Sequence, residues 1–141
     1  MSELNKRVVT TFLAAMGKGD ATTAATCLAP DAQTVVKGYG KFTGVRHFDQ
    51  IVGTIGALKK LIPGGLSPTI HTITAEGERV VAEFEGNAEL VNGKSYCNQY
   101  CMVFTLQDGK IKSVNEYFCT LLADEALYPL IAELESSTLS R

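Results

Sequence analysis

Apolar residues return at helical spacing near the start of the chain: Leu4, Val8, Val9, Phe12, Leu13 and Met16 fall on one side before Gly17-Lys18-Gly19 breaks the pattern. This predicts an amphipathic first helix that needs a sheet to cover its stripe. Asp20 reads as the cap of a short second helix carrying Ala24, Cys27 and Leu28, which Pro30 ends by disfavouring helical geometry at Ala29. A first strand is expected over 33–39. After a glycine-rich turn around Gly38 to Gly44, Val45, Phe48, Val52, Ile55, Leu58 and Ile62 form a third helical stripe, closed by Pro63-Gly64-Gly65. From Leu66 the period becomes two. Four strands are expected over 67–75, 79–91, 94–106 and 110–120, punctuated by Glu76-Gly77-Glu78, Asn92-Gly93 and Gln107-Asp108-Gly109. A last helix over 124–135 leads into a polar tail over 136–141. Helices first and a strand meander after them imply an α+β fold with helices packed on one face of a mostly antiparallel sheet.

Turn chemistry sets the register. Asn92-Gly93 favours a two-residue turn, which would pair Glu85 with Tyr100, Asn87 with Asn98 and Glu83 with Met102. Gln107-Asp108-Gly109 fits a three-residue loop that would set Glu116 opposite Tyr100 and Phe118 opposite Asn98. One face would then collect Glu83, Glu85, Asn87, Asn98, Tyr100, Met102, Glu116 and Phe118. Such a mixture of carboxylates, amides, aromatics and a thioether is the usual lining of a small-molecule pocket. Three glutamates on one enclosed face would raise at least one pKa by repulsion and desolvation, placing a neutral acid beside an ionised base. Mid-strand His71 could reach the cavity as a proton carrier. The opposite face would hold Ala82, Phe84, Cys101 and Val103, an apolar patch suited to a homodimer interface.

The 141 residues, 45% hydrophobic and 20% charged, have the size and composition of one globular domain, 1–141. A net charge of −2 gives no basic field for a phosphate backbone, so nucleic acid is not an expected partner. The first residues mix charges with apolar groups, and no apolar run approaches the roughly 20 residues of a membrane span. A cytoplasmic protein without membrane contact is the expectation. Cys27, Cys97, Cys101 and Cys119 show no C-x-x-C spacing. On one strand Cys97 and Cys101 would stand about 13 Å apart, too far for a disulfide or a shared metal, so the cysteines read as small hydrophobes and no metal site is expected.

The segment GERVVAEFEGNAELVNGKSYCNQYCMVFTLQDGKIKSVNEYFCT resembles the second half of SnoaL-like proteins, a branch of the nuclear-transport-factor-2-like superfamily. It carries their G-x-x-Y-x-N-x-Y, F-x-x-x-D-G-K-I and E-Y motifs, and FLAAMGKGD followed by CLAPDA is similar to the family's opening. The resemblance implies a cone-shaped curved sheet around N-terminal helices, dimeric, with a pocket for a small apolar oxygenated molecule and no cofactor. It also implies that Tyr39 and Phe42 flank the pocket entrance, and that Phe12 holds the place of the ketosteroid isomerases' catalytic tyrosine.

The family's known sites do not transfer whole. Phe12 lacks the hydroxyl and Lys37 stands where the isomerase base would be. Glu85 and Glu116 match the two acids of limonene-epoxide hydrolases, but Glu83 replaces their arginine, and Thr34 and Val36 occupy the water-holding positions. The polyketide cyclase ending E-Y-x-D-T reads Glu116-Tyr117-Phe118-Cys119-Thr120 here, with the aspartate lost. What the resemblance leaves is acid/base work by Glu116 and Glu85, with Asn98, Tyr100 and His71 orienting a substrate. A non-catalytic ligand-binding or protein-interaction module of the same fold is the alternative.

Overall fold

The computed structural model describes residues 2–139. Helix α1 (Ser2–Lys18) buries Val9, Phe12, Leu13 and Ala15. It ends where Gly19 takes a φ of 69°, a left-handed turn that glycine adopts without steric cost. Two residues earlier, Leu66 donates its backbone N–H to the Gly17 carbonyl at 2.7 Å. A Cβ at Gly17 would stand 2.2 Å from the Leu66 oxygen, so only glycine permits this approach. Helix α2 (Ala21–Cys27) is capped as expected, the Asp20 carboxylate accepting the Thr23 N–H at 3.1 Å.

Strand β1 (Leu28–Val36) starts earlier than the sequence suggests, with Pro30 inside it. The proline is tolerated because the ladder to β6 is irregular between Leu28 and Gln33, and β2 pairs only from Gln33 onward. The expected third helix is shortened by a four-residue strand, β2 (Gly44–His47), and α3 runs over Phe48–Leu61. Strands β3 (Ser67–Glu76), β4 (Arg79–Glu89), β5 (Ser95–Gln107) and β6 (Lys110–Phe118) follow, then α4 (Thr120–Ala126) and α5 (Tyr128–Leu139). The anticipated final helix is thus two helices, and helix continues through 136–139 where a polar tail was expected; the tail's last two residues lie outside the described ones.

The six strands form one curved sheet in the order β2-β1-β6-β5-β4-β3, antiparallel except for the parallel pair β1–β6. Its inner face contributes Val80, Phe84, Met102, Phe104, Leu106 and Val114 to a core shared with Val9, Phe12 and Leu13 of α1 and Ile51 and Ile55 of α3. Phe12 meets Phe104 edge to face, with centroids 6.1 Å apart. A second cluster, Leu61, Ile62, Leu90, Tyr96 and Leu130, seals the end of the cone beneath α4 and α5. The architecture is an α+β cone.

The two meander turns exchange the types that the sequence suggests. At β4–β5 the loop has three residues, with Gly93 at φ 83°, the Gly93 N–H donating to Leu90 O and the Leu90 N–H donating to Lys94 O, both at 2.8 Å. At β5–β6 Asp108 and Gly109 both take positive φ, 53° and 74°, and Gln107 pairs with Lys110 across a two-residue turn. A bulge follows, for Leu106 pairs with Ile111 but Thr105 with Ser113, leaving Lys112 unmatched.

The first exchange slips the register by one residue: Phe84 faces Tyr100, Glu85 faces Gln99, Glu83 faces Cys101 and Asn87 faces Cys97. Side chains alternate strictly, so Glu83, Glu85 and Asn87 leave the face that holds Asn98, Tyr100 and Met102. The reason is apolar matching. A register of this parity, unlike one slipped by a residue, puts Val80, Ala82 and Phe84 on one face with Tyr96, Met102 and Phe104, and burying each large side chain contributes about 1.5–3 kcal/mol. The second hairpin shifts by two residues, which preserves parity; Met102 faces Glu116 and Tyr100 faces Phe118. The expected apolar outer patch loses Phe84 and Ala82, both buried inside.

Candidate functional site

Between α1, α3 and the inner sheet face lies a cavity of about 190 Å³. Phe12 and Met16 line it from α1, Ile51 and Ile55 from α3, and Thr34 from β1. Phe84, Tyr96, Tyr100, Met102 and Glu116 complete its sheet wall, and Leu127 closes the far end. The walls are largely apolar, with Thr34, Thr54, Tyr96, Tyr100 and Glu116 as their polar members.

Glu116 is placed by three strands: it faces Met102 across β5 and Val36 across β1, and its carbonyl accepts the Lys37 N–H at 3.0 Å. Burial among apolar side chains pushes its carboxyl up to about 7, and the Arg46 guanidinium pulls weakly the other way. Arg46 stands on β2 opposite Thr34, with Nη1 donating to Phe42 O at 3.3 Å. A carboxyl raised toward neutral pH can be present in both its protonated and its ionised form.

Tyr100 is stacked on Phe84, with centroids 4.9 Å apart and planes 9° from parallel, and Phe118 lies tilted on its other neighbour side at 5.7 Å. Its phenol is held well above the usual range, chiefly by burial and then by Tyr96 and Glu116, so it stays a hydrogen-bond donor. Asn98, only 4% exposed, fixes Tyr96: its Nδ2 donates to the Tyr96 hydroxyl at 2.8 Å and to Cys119 O at 3.1 Å, while its Oδ1 accepts the Cys119 N–H at 3.3 Å. Asn98 is thus spent on holding the wall rather than free to meet a ligand.

Of the residues singled out from the sequence, Phe12, Tyr100, Met102 and Glu116 meet at the cavity, with Asn98 and Phe118 directly behind its wall. The others do not. The register carries Glu83, Glu85 and Asn87 to the outer face. His71 lies there too: it is the extra residue of a β3 bulge between Ile70 and Thr72, and its Nε2 is 3.6 Å from Glu85 Oε1. Glu85 and His71 are therefore separated from Glu116 by the sheet itself. Tyr39 is fully exposed, and Phe42 packs edge to face on Tyr128 at 6.3 Å.

The loop bearing them is strapped to the last helices. Lys41 donates its backbone N–H to Asp124 Oδ1 at 3.0 Å, and its ammonium sits 4.2 Å above the Tyr128 ring. Sequence reasoning missed Tyr96 on the cavity wall and Arg46, whose charge acts on Glu116. Tyr96 could have been found by matching apolar parity across the Asn92-Gly93 turn; Arg46 gave no signal, because its strand was read as helix.

Among the described residues, no group of three or more His, Cys, Asp or Glu side chains is placed to hold a metal, and no helix is long and apolar enough to cross a membrane.

The fold recurs among solved structures. The Bal32a protein from a soil-derived mobile gene cassette superposes with a TM-score of 0.76 at 22% identity, over 89% of this chain and 97% of its own. A nuclear-transport-factor-2-like protein of Burkholderia xenovorans LB400 gives 0.71 at 21% identity, over 89% and 97%. A candidate SnoaL-like polyketide cyclase from Jannaschia sp. CCS1 gives 0.74 at 14% identity, over 89% and 92%. No curated protein matches the sequence. The model of the SnoaL-like domain matches residues 9–114, well over half of the chain, and with the cone and its cavity already described, this chain belongs to the SnoaL-like domain family.

Proposed function

We propose that this protein binds a small, neutral, oxygenated molecule of about one ring in the cavity and moves a proton on it with Glu116, without a cofactor. The observation that carries this reading is a lone carboxyl at about pKa 7 in an apolar cavity beside the Tyr100 hydroxyl. Tyr100 donates to the ligand oxygen, and Glu116 gives or takes the proton. Arg46 limits how far the carboxyl rises. Glu85 takes no part.

The size of the cavity sets the ligand class. About 190 Å³ is below the roughly 300 Å³ at which pockets for drug-sized molecules begin, yet above the ~150 Å³ that suffices for benzene. A four-ring steroid does not fit; a monocyclic ketone, alcohol or epoxide does. Among the described residues no second acid lines the cavity, which favours a second reading, a non-catalytic binder in which Tyr100 and Glu116 only orient the ligand.

A thermal-shift screen of monocyclic terpenoid ketones and epoxides, aromatic ketones and steroids, run on wild type and Glu116→Gln, tests both. A ligand at 100 times its Kd stabilises the native state by about 2.7 kcal/mol, several degrees for a chain of this size. One-ring hits that wild type turns over and Glu116→Gln only binds support the enzyme. Hits without turnover by either support the binder, and steroid hits alone sink the size argument.

The reading extends to a cytoplasmic homodimer. Val81 pairs with Val103 and Cys101 with Tyr117, and Val35 and Val45 continue this apolar row across the outer face. A 15.1 kDa species in sedimentation at micromolar concentration would refute the dimer.

A further inference from the structure

On the outer face, where β5 begins, an open groove of about 270 Å³ contains two exposed thiols, Cys97 and Cys119, together with Glu85, Gln99 and Leu122. It lies about 20 Å along β5 from Val103, away from the apolar patch. Cys97 is held in the β4–β5 ladder opposite Asn87. Cys119 is the single residue between the end of β6 at Phe118 and the start of α4 at Thr120, so no ladder holds it. Continuing the β5–β6 register sets Cys119 opposite Gln99 and diagonal to Cys97, and such diagonals span about 7–8 Å between Cα atoms. A disulfide needs at most about 7 Å. The bond is within reach if one partner moves by about an ångström, and Cys119, outside the strand ladder and held by Asn98 through its N–H and carbonyl, is the partner whose shift is passed on.

The geometry points to a redox site that acts on the cavity: Cys97 and Cys119 form a reversible disulfide when a hydroperoxide enters the groove. The thiolate of one attacks the peroxide oxygen, giving a sulfenic acid and releasing water or an alcohol. The second thiol attacks that sulfur, the S–S bond forms, and the hydroxyl leaves as water. Two thiols lose two hydrogens, and the peroxide is the oxidant.

The movement reaches the cavity through Asn98, whose one amide group binds both the backbone of Cys119 and the Tyr96 hydroxyl. It also displaces α4, whose Leu122 lines the groove and which leads to Leu127 on the cavity wall. The other cysteines are poorer partners. Cys27 is buried in the core, and Cys101 is four residues along the same strand from Cys97.

The test treats the full chain with hydrogen peroxide, maps the peptides, and compares backbone amide NMR signals before and after. The expected result is one linked pair, Cys97 with Cys119, lighter by two hydrogens and reversed by dithiothreitol, with displaced signals at Tyr96, Asn98 and Tyr100 and unmoved signals along α1. Cys97→Ser and Cys119→Ser, both exposed and conservative, abolish the link and leave a single sulfenic acid that dimedone traps. Thiols that stay free, oxidation straight to sulfinic acid, or a link through Cys101 or a second chain would each overturn the proposal. A Cys97–Cys119 link that leaves Tyr96 and Tyr100 unmoved would overturn its effect on the cavity.

Discussion

Neighbouring residues on β4 lead opposite lives. Phe84, 2% exposed, is stacked on Tyr100 inside the cone, while Glu85, one residue on, meets Gln99 and His71 in solvent at 3.4 and 3.6 Å. The two faces of the sheet are less than a side chain apart, yet they differ in what a charge costs there. On the outside, water screens Glu85, and an exposed pair of this kind contributes at most about 1 kcal/mol. On the inside, the same chemical group at Glu116 is raised to about 7 by desolvation. The same carboxylate titrates differently on the two faces because the inner one solvates its charge less well.

Three substitutions sharpen that contrast. Phe84→Ala removes a fully buried ring from the cavity wall and is expected to cost about 3–5 kcal/mol in denaturant unfolding; a loss below about 1 kcal/mol would mean that the inner face is not packed as described. Glu116→Gln acts next most strongly. A carboxyl whose folded pKa is raised stabilises the fold below its unfolded value, near 4.5, and that stability is lost as pH rises through about 7. Wild type is therefore expected to weaken by up to about 3 kcal/mol between pH 4 and 8 from this group, and Glu116→Gln to be flat by comparison. Parallel stability curves for the two proteins would contradict the raised carboxyl, as would a carboxyl NMR titration of Glu116 near 4.3. Smallest of all is Glu85→Gln, expected to change stability by less than about 0.5 kcal/mol and ligand binding not at all; a large loss of binding would put Glu85 back in the site.

Much of this molecule is legible in its sequence where periodicity is long. The stripe of α1, the Asp20 cap, the α3 stripe and the four meander strands all follow from spacing and turn residues. The register did not follow from Asn92-Gly93, because turn preference is local while the burial of Tyr96, Met102 and Phe104 is summed over a whole strand. Strand β2 has four residues with Val45 half-exposed, so no apolar alternation marks it. Glu116, Tyr100, Met102 and Phe12 were visible as site candidates because a shift of two residues leaves parity intact. Glu85, His71, Glu83 and Asn87 were not separable from them, because a shift of one residue reverses it.

The parallel pairing of β1 with β6 has a consequence for how the cone is made. Val36 and Glu116 lie side by side although nearly the entire meander separates them along the chain. Closing so long a loop costs entropy before any contact rewards it, and pairings of this kind are slow to form. During synthesis α1, α2 and β1 emerge early and must wait for β6. The wall that holds Glu116 is completed only when the final strand takes its place between β1 and β5.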